Sequence, residues 1–304
     1  MARRKQTHYA IIGSGAAGNE AAWHLRRRDH DSRITVITAG KLLFISRYVL
    51  PRVLQGDDDW SKLLVHSPDY YDEQRIELRR NTRVVSVDAR RRVIRFRHKE
   101  EMAYDKLLVA SGGGGYLPEG LREYRHLMQK FITFGDAVRL RRMLPKKGRV
   151  LIIDGDMQGI DLGRALAAMG HRVSVVVGDR LFWPHDVEDE DLPRFIKALE
   201  KMGMEVIRGR RVTAIGFAGG GSGGSIQRRV SFDAGRDIKA DAVLPFCGLS
   251  PGIDYMVGAG VDIERGLLVN PELKTTDPNI WAAGDVCQIW SPEENRYLFY
   301  YGWK

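Results

Sequence analysis

Cysteine is scarce in this chain: Cys247 and Cys287 are the only two in 304 residues, far apart and without Cys-x-x-Cys spacing. That excludes an encoded metal knuckle or local redox disulfide and points to a reducing, cytoplasmic setting. Long apolar runs are also missing. No stretch approaches the roughly 18 residues needed to cross a bilayer, so no membrane span is expected. The opening Met1-Ala2-Arg3-Arg4-Lys5 carries the charge of an export signal, but Gly13, Gly15 and Gly18 break the apolar run behind it and no cleavage site follows. It reads as a solvated tail. Acidic residues are in the minority, 39 against 48 Lys plus Arg, for a formal charge of +9. Such an excess can mark nucleic acid or an acidic partner. Here the basic clusters (Arg26 to Arg28, Arg90 to Arg92, Arg139 to Arg142) abut acidic or apolar residues, and nucleic-acid binding is not expected. The length suffices for two domains, each with its own core.

What is present centres on Tyr9 to Ala39. A short apolar run, Tyr9 to Ile12, leads into Gly13-Ser14-Gly15-Ala16-Ala17-Gly18, then a helical pattern with Ala21, Ala22 and Leu25 on one side, then a β-rich run from Ile34 to Ile37. This is a βαβ unit with a dinucleotide fingerprint. Gly13 makes the tight turn, Gly15 lets backbone approach a pyrophosphate, and Gly18 lets the helix pack close to the strand. The anion then rests on the free N–H groups of the helix start. The same string also suits a glycine-rich turn that binds nothing. One part of the fingerprint is missing: the acid expected about 20 residues on, which accepts the ribose hydroxyls, is replaced by Thr38, Ala39, Gly40 and Lys41. Thr38 is left as a weaker ribose partner.

Further along, Leu42 to Gln55 is apolar with Ser46, Arg47 and Arg52 embedded; the arginines either lie along a surface by their stems or face a ligand. Residues 57 to 75, with Asp57 and Asp58, read as a loop and a helix. Arg83 to Asp88, Val93 to Arg97 and Lys106 to Ala110 read as strands, and Ser111 to Gly115 as a sharp reversal or close approach to a ligand and as a crossing between domains. A second βαβ pattern follows: strand Val150 to Ile153, turn Asp154-Gly155-Asp156-Met157-Gln158-Gly159, helix Ile160 to Met169, strand Arg172 to Val177. Asp154 and Asp156 stand where glycines are expected, and their carboxylates repel a pyrophosphate by about 1 to 4 kcal/mol per charge pair. The second strand ends at Val177-Gly178 without a ribose acid. The unit either binds a nicotinamide nucleotide in altered form or keeps only the fold. Asp186 to Gly203 reads as an amphipathic helix, the strands Glu205 to Arg208, Val212 to Phe217, Arg229 to Phe232 and Ile238 to Ala240 as an antiparallel meander with a flexible tip at Gly219 to Gly224, and Asp241 to Phe246 as a last buried strand.

With Thr276 to Val286, a turn, a strand and Asp285 behind Gly284, the chain resembles the FAD-dependent pyridine nucleotide-disulfide oxidoreductases over nearly its whole length. The resemblance is to the branch of NADH oxidases, rubredoxin and ferredoxin reductases and the flavin portion of NADH-nitrite reductases. It rests on three motifs in order: Gly13 to Gly18, Tyr104 to Gly112, and Thr276 to Val286. It implies an α/β fold of two Rossmann-like dinucleotide-binding domains, the second inserted into the first, with boundaries at 1–112, 113–244 and 245–304. The implied FAD contacts are Gly13, Ser14, Gly15, Ala16, Ala17 and Gly18, with Thr38, Ala39, Lys41, Arg47, Val85, Ala110, Ser111, Gly112, Gly284 and Asp285, the last holding the ribityl chain. A degenerate nicotinamide site is implied at Gly155 and Gly159.

The departures are informative. The reactive cysteine that disulfide-using members carry near Tyr48, or as Cys-x-x-Cys in the inserted domain, is missing, which disfavours disulfide chemistry. Where the ferredoxin-reductase branch has a lysine beside the flavin paired with an acid, this chain has Arg52 and Asp161, expected to approach each other beside the isoalloxazine; an arginine keeps its charge without releasing a proton. Either both have that catalytic role or both are ordinary surface charges. The family usually continues past the last motif into a further helix and an interface domain, whereas this sequence stops at Tyr301-Gly302-Trp303-Lys304. Either a partner subunit completes the site or the sequence is a shortened version of a longer protein. The expected activity is electron transfer between NAD(P)H and an iron–sulfur protein acceptor through FAD. The alternative is a flavoprotein-like subunit serving as relay or scaffold in a larger complex, with Tyr297, Phe299, Tyr300, Tyr301 and Trp303 as a partner surface.

Overall fold

The computed structural model describes residues 6–56, 59–177, 187, 190–220 and 226–299. The expectations for Met1 to Lys5, Asp57, Asp58, Gly178, Asp186, the glycine tip from residue 221 to 224, and Tyr300 to Lys304 lie outside the described residues. Two compact units form, one from residues 1–46, 63–114 and 250–304, the other from 47–62 and 115–249. In chain order the strands of the two parallel sheets are β1 (His8–Ile12), β2 (Arg33–Ile37), β3 (Glu77–Arg79), β4 (Lys106–Val109), β5 (Arg149–Ile153), β6 (Arg172–Val177), β7 (Met204–Arg208), β8 (Ala242–Pro245) and β9 (Ile280–Ala282). The helices that matter below are α1 (Ala16–Arg28), α2 (Leu50–Leu54), α3 (Phe134–Met143) and α4 (Met157–Ala168).

Unit 1 is built on a parallel sheet ordered β9-β4-β1-β2-β3. Strand alternation sends Ile11 to one face, where it packs with Ala22, Ile34, Val36, Tyr71 and Ile76. Ala10 and Ile12 go to the other face, with Ile37, Leu107, Val109, Ile280 and Ala282. Because helix and loops cover both faces, the strands are buried runs rather than half-polar ones. Arg26, part of the basic cluster Arg26 to Arg28, is only 5 % exposed. Its guanidinium donates to the carbonyls of Asp29, His30, Ser32, Gln74 and Arg75, tying the end of α1 to the approach to β3.

Unit 2 repeats the scheme with a parallel sheet ordered β7-β6-β5-β8. Leu151, Ile153, Val176 and Val243 enter its core beside Leu117, Leu127, Ile215 and Val230. Helix α3 starts in a reciprocal capping box between Thr133 and Asp136. The expected meander is corrected at its first strand: β7 pairs in parallel with β6, so it extends the main sheet. Only Val212–Gly220, Ile226–Phe232 and Ile238–Ala240 form the antiparallel ladder. The Gly113–Gly115 stretch is likewise not a reversal but a strand pairing with Leu249–Pro251. Backbone pairing overrides the glycine bias there, because two chain passes side by side satisfy each other's amides.

Candidate functional site

The first glycine loop lies at the carboxyl end of β1, in the middle of the unit 1 sheet. Gly13 adopts φ 116°, and its N–H donates to the Ile37 carbonyl at 2.8 Å. A Cβ there would stand 2.1 Å from the Ala110 carbonyl oxygen, so the turn needs glycine twice over, for its dihedral and for its neighbour. A Cβ on Gly18 would stand 1.9 Å from the Gly13 carbonyl oxygen, whereas one on Gly15 would meet nothing within 4 Å. Gly15 is the N-cap of α1, and no side chain caps that helix. Its opening amides therefore face the space beside Gly15 without a side-chain acceptor, the arrangement that takes an anion.

Two other motif segments meet this loop at the same edge of the sheet. The Ala110 N–H donates to Ile12 at 2.7 Å, and the Ala283 N–H to Val109 at 3.0 Å, which brings Ala110 to Gly112 and Gly284-Asp285 alongside the end of β1. A Cβ on Gly284 would lie 3.5 Å from that of Ala17, at the first turn of α1. Ser111 is held by its hydroxyl, 2.8 Å from the Gly252 carbonyl and 2.8 Å from the Tyr255 hydroxyl. Asp285 is half-buried, and its charge adds to burial in pushing the Cys287 thiol up to about 11. Ligands of open parallel sheets bind outside the carboxyl ends of the strands, and β1, β4 and β9 deliver their motif residues there.

Thr38 follows β2 on this edge, but its hydroxyl accepts from the Gly40 N–H at 3.1 Å, within its own turn. Ala39 and Lys41 are exposed, and the Lys41 carbonyl accepts from Arg80 at 3.2 Å. Val85 is 45 % exposed on the separate antiparallel strand Val84–Asp88. Arg47 belongs to unit 2, where its charge acts on Asp156. A residue that sequence reasoning missed is Asn19. It is 2 % exposed, and its side chain fixes the loop from below. Its signal was a polar residue on the helix face otherwise carrying Ala22.

In unit 2 the equivalent turn is closed by its own side chains. Asp154 takes φ 59°, a left-handed conformation that aspartate tolerates better than most residues. Asp156 is the N-cap of α4, and its carboxylate accepts from the Gly159 N–H at 2.8 Å. Burial lifts its pKa to about 6, against the opposing pull of the Gly159 and Gln158 amides and of Arg47. A Cβ on Gly159 would stand 2.7 Å from the Phe246 ring, and Gly155 is buried. Burial, with the Asp154 carboxylate second, pushes the Cys247 thiol well above its ordinary range. Helix α2, carrying exposed Arg52, packs on α3 and α4, and Asp161 of α4 lies 2.6 Å from Arg164 on its own helix.

A family model for pyridine nucleotide-disulphide oxidoreductases matches residues 7–297. The chain belongs to that family. It is 30 % identical over 308 residues to the ferredoxin–NAD(+) reductase component of the anthranilate 1,2-dioxygenase system of Burkholderia cepacia, covering 97 % of this chain and 72 % of that protein. It is 25 % identical to the rubredoxin–NAD(+) reductase of Pseudomonas putida, over 90 % of this chain and 70 % of that one. A crystal structure of a ferredoxin reductase from Rhodopseudomonas palustris superposes with a TM-score of 0.84 at 25 % identity, over 96 % and 71 % of the two chains. The two parallel sheets with glycine turns are thus the two Rossmann-like domains of this oxidoreductase family, in the branch that includes ferredoxin and rubredoxin reductases and NADH oxidases.

The unit 1 site fits FAD: an uncapped helix start, an open face at Gly15, and a half-buried carboxylate two strands away. The α4 turn of unit 2 does not fit a second diphosphate, because a carboxylate already lies on its amides. Among the described residues no cluster of three or more His, Cys, Asp or Glu is placed to hold a metal ion, and no helix is long and apolar enough to cross a membrane.

Proposed function

We propose that this chain is an FAD-dependent oxidoreductase that passes electrons between NAD(P)H and a protein acceptor of the iron–sulfur type. When bound, FAD supplies the redox chemistry, and the protein positions the ring and tunes its charge. The observation that carries the reading is the convergence of Gly13 to Gly18, Ala110 to Gly112 and Gly284-Asp285 on one sheet edge, above an α1 that no side chain caps. On this reading the α1 amides hold the diphosphate, Asp285 accepts a hydroxyl of the ribityl chain, and Thr38 contributes little to ribose binding because its hydroxyl is engaged with Gly40. Arg52 holds a permanent positive charge and so stabilises negative charge without donating a proton; Asp161 on the neighbouring helix is its proposed counterpart. The acceptor class follows the relatives, two of which are named as reductases of ferredoxin or rubredoxin. Unpaired cysteines support a cytoplasmic location.

A second reading is favoured by one observation, the Asp156 carboxylate on the amides of α4: a relay subunit that keeps the flavin but takes electrons from a partner rather than from NAD(P)H. The visible spectrum of purified protein tests FAD binding directly. Anaerobic mixing with NADH or NADPH then separates the two readings. Bleaching of the flavin supports the first. A yellow protein that does not bleach leaves only the second, and a protein that stays colourless after reconstitution ends both.

A further inference from the structure

The two units present the same strand–turn–helix with opposite chemistry at the helix start. In unit 1 the residue before α1 is Gly15, with nothing within 4 Å of where a side chain would begin and no side-chain cap. In unit 2 the matching residue is Asp156, whose side chain accepts from the Gly159 N–H, with the Gln158 amide also donating to it. A diphosphate at a helix start needs those amides and the space in front of them. An aspartate fills both, since it is a strong N-cap and carries its own charge.

We infer that Asp156 is a built-in anion that takes the place of a dinucleotide's diphosphate on α4, so that wild-type unit 2 does not hold a nicotinamide dinucleotide by its diphosphate. The inference rests on reading unit 2 as the nicotinamide half of the family fold. The surroundings reinforce the seal. Asp154 adds a second carboxylate on the same turn, and its charge joins burial in pushing the Cys247 thiol up. Arg47, from the segment that joins unit 2, is the cation acting on Asp156 and offsets part of its charge. Phe246 stands against Gly159, leaving no room for the turn to move toward the sheet. Any nicotinamide dinucleotide that reduces this protein must therefore displace Asp156 or be held by other groups.

The test is calorimetric titration of the FAD-loaded full chain with ADP-ribose, which carries the diphosphate but cannot reduce flavin, so the readout is binding and not turnover. Wild type is expected not to saturate at about 1 mM, the upper end of ordinary KM values. Asp154→Gly with Asp156→Gly, which restores the glycines at both positions, is expected to bind at least about tenfold tighter. Asp156→Asn alone keeps the cap and the fold and removes only the charge, and is expected to lie between the two. Micromolar saturation of wild type overturns the inference, and so does an Asp156→Asn protein that binds no better than wild type. The flavin spectrum of the same samples reports independently on unit 1, so a colourless protein defeats the FAD reading while the titration still decides the role of Asp156.

Discussion

The Tyr71 hydroxyl donates to the Asn19 side-chain carbonyl at 2.6 Å, and the Asn19 amide nitrogen donates to the carbonyls of Ser14 at 2.7 Å and Gly15 at 3.0 Å. This buried chain pulls the loop carbonyls inward, toward the core side of α1. With its carbonyls fixed there, the turn is held in shape before any ligand arrives, which reduces the ordering cost of binding. Asn19→Ala leaves the Ser14 carbonyl and the Tyr71 hydroxyl short of a buried partner, while the Gly15 carbonyl keeps the backbone N–H of residue 19, a loss of about 1 to 3 kcal/mol. FAD retention through gel filtration, read by absorbance, is expected to fall roughly tenfold or more on that scale. Tyr71→Phe, which leaves the Asn19 donations in place, is expected to fall less. Equal retention in Asn19→Ala and wild type would remove Asn19 from the site.

The glycines of the loop are expected to separate folding from binding. Gly13→Ala puts a methyl 2.1 Å from the Ala110 carbonyl at a φ of 116° and should lower thermal stability sharply or abolish soluble expression. Gly15→Ala meets open space and takes a backbone of φ −80°, ordinary for alanine. It should melt within about 1 kcal/mol of wild type yet lose FAD. A Gly15→Ala protein that remains fully yellow would show that no diphosphate lies against this turn.

Asp156 gives a pH signature of its own. Burial raises its pKa from 3.8 to about 6 in the folded chain, so its contribution favours folding at low pH and is lost as the pH rises through about 6. Above that, a lift of this size costs roughly 3 kcal/mol. Asp156→Asn keeps the N-cap without the charge. Its melting temperature should match wild type only below pH 3.8, pull ahead as the pH rises from there to about 6, and exceed it by the full margin at pH 8; a variant less stable than wild type at pH 8 contradicts the assignment.

Glu77 behaves in the opposite sense. Burial alone would raise its pKa, but the donations from Arg33, Arg79 and Thr35 together outweigh it and hold the carboxyl at about 2, below its usual 4.5. The resulting stabilisation is present above 4.5 and is lost as the pH falls toward 2. With 38 % of the side chain exposed, solvent screening leaves about 1 kcal/mol. Glu77→Gln should melt lower than wild type at pH 7, by denaturation monitored with circular dichroism, and the gap should narrow steadily below pH 4.5.

How much of this was legible in the sequence varies with the range of the forces involved. The β1-α1-β2 and β5-α4-β6 units were readable because strand alternation, turn glycines and helix periodicity are all local. The three glycine roles at Gly13, Gly15 and Gly18 were readable for the same reason. The short strand β3 was not, since Glu77-Leu78-Arg79 has no alternation long enough to register and forms only because β2 offers an unpaired edge. Nor was the parallel pairing of β7, which a single strand cannot announce. The burial of Arg26 was not legible either, because it depends on the distant Gln74 and Arg75 carbonyls joining the nearby ones of Asp29, His30 and Ser32 around its guanidinium.

The sequence by itself determined that two dinucleotide-type turns exist and that the second carries aspartates at Asp154 and Asp156, because residue identity and spacing are fixed along the chain. Only the tertiary structure decided what those aspartates do. Whether a carboxylate points away from a helix start or settles onto its amides depends on backbone dihedrals and on neighbours such as Phe246 and Cys247, brought from nearly a hundred residues away. It likewise decided that the segment 47–62, with Arg47 and Arg52, joins unit 2, because burying the apolar face of α2 against α3 and α4 outweighs its sequence proximity to the first turn.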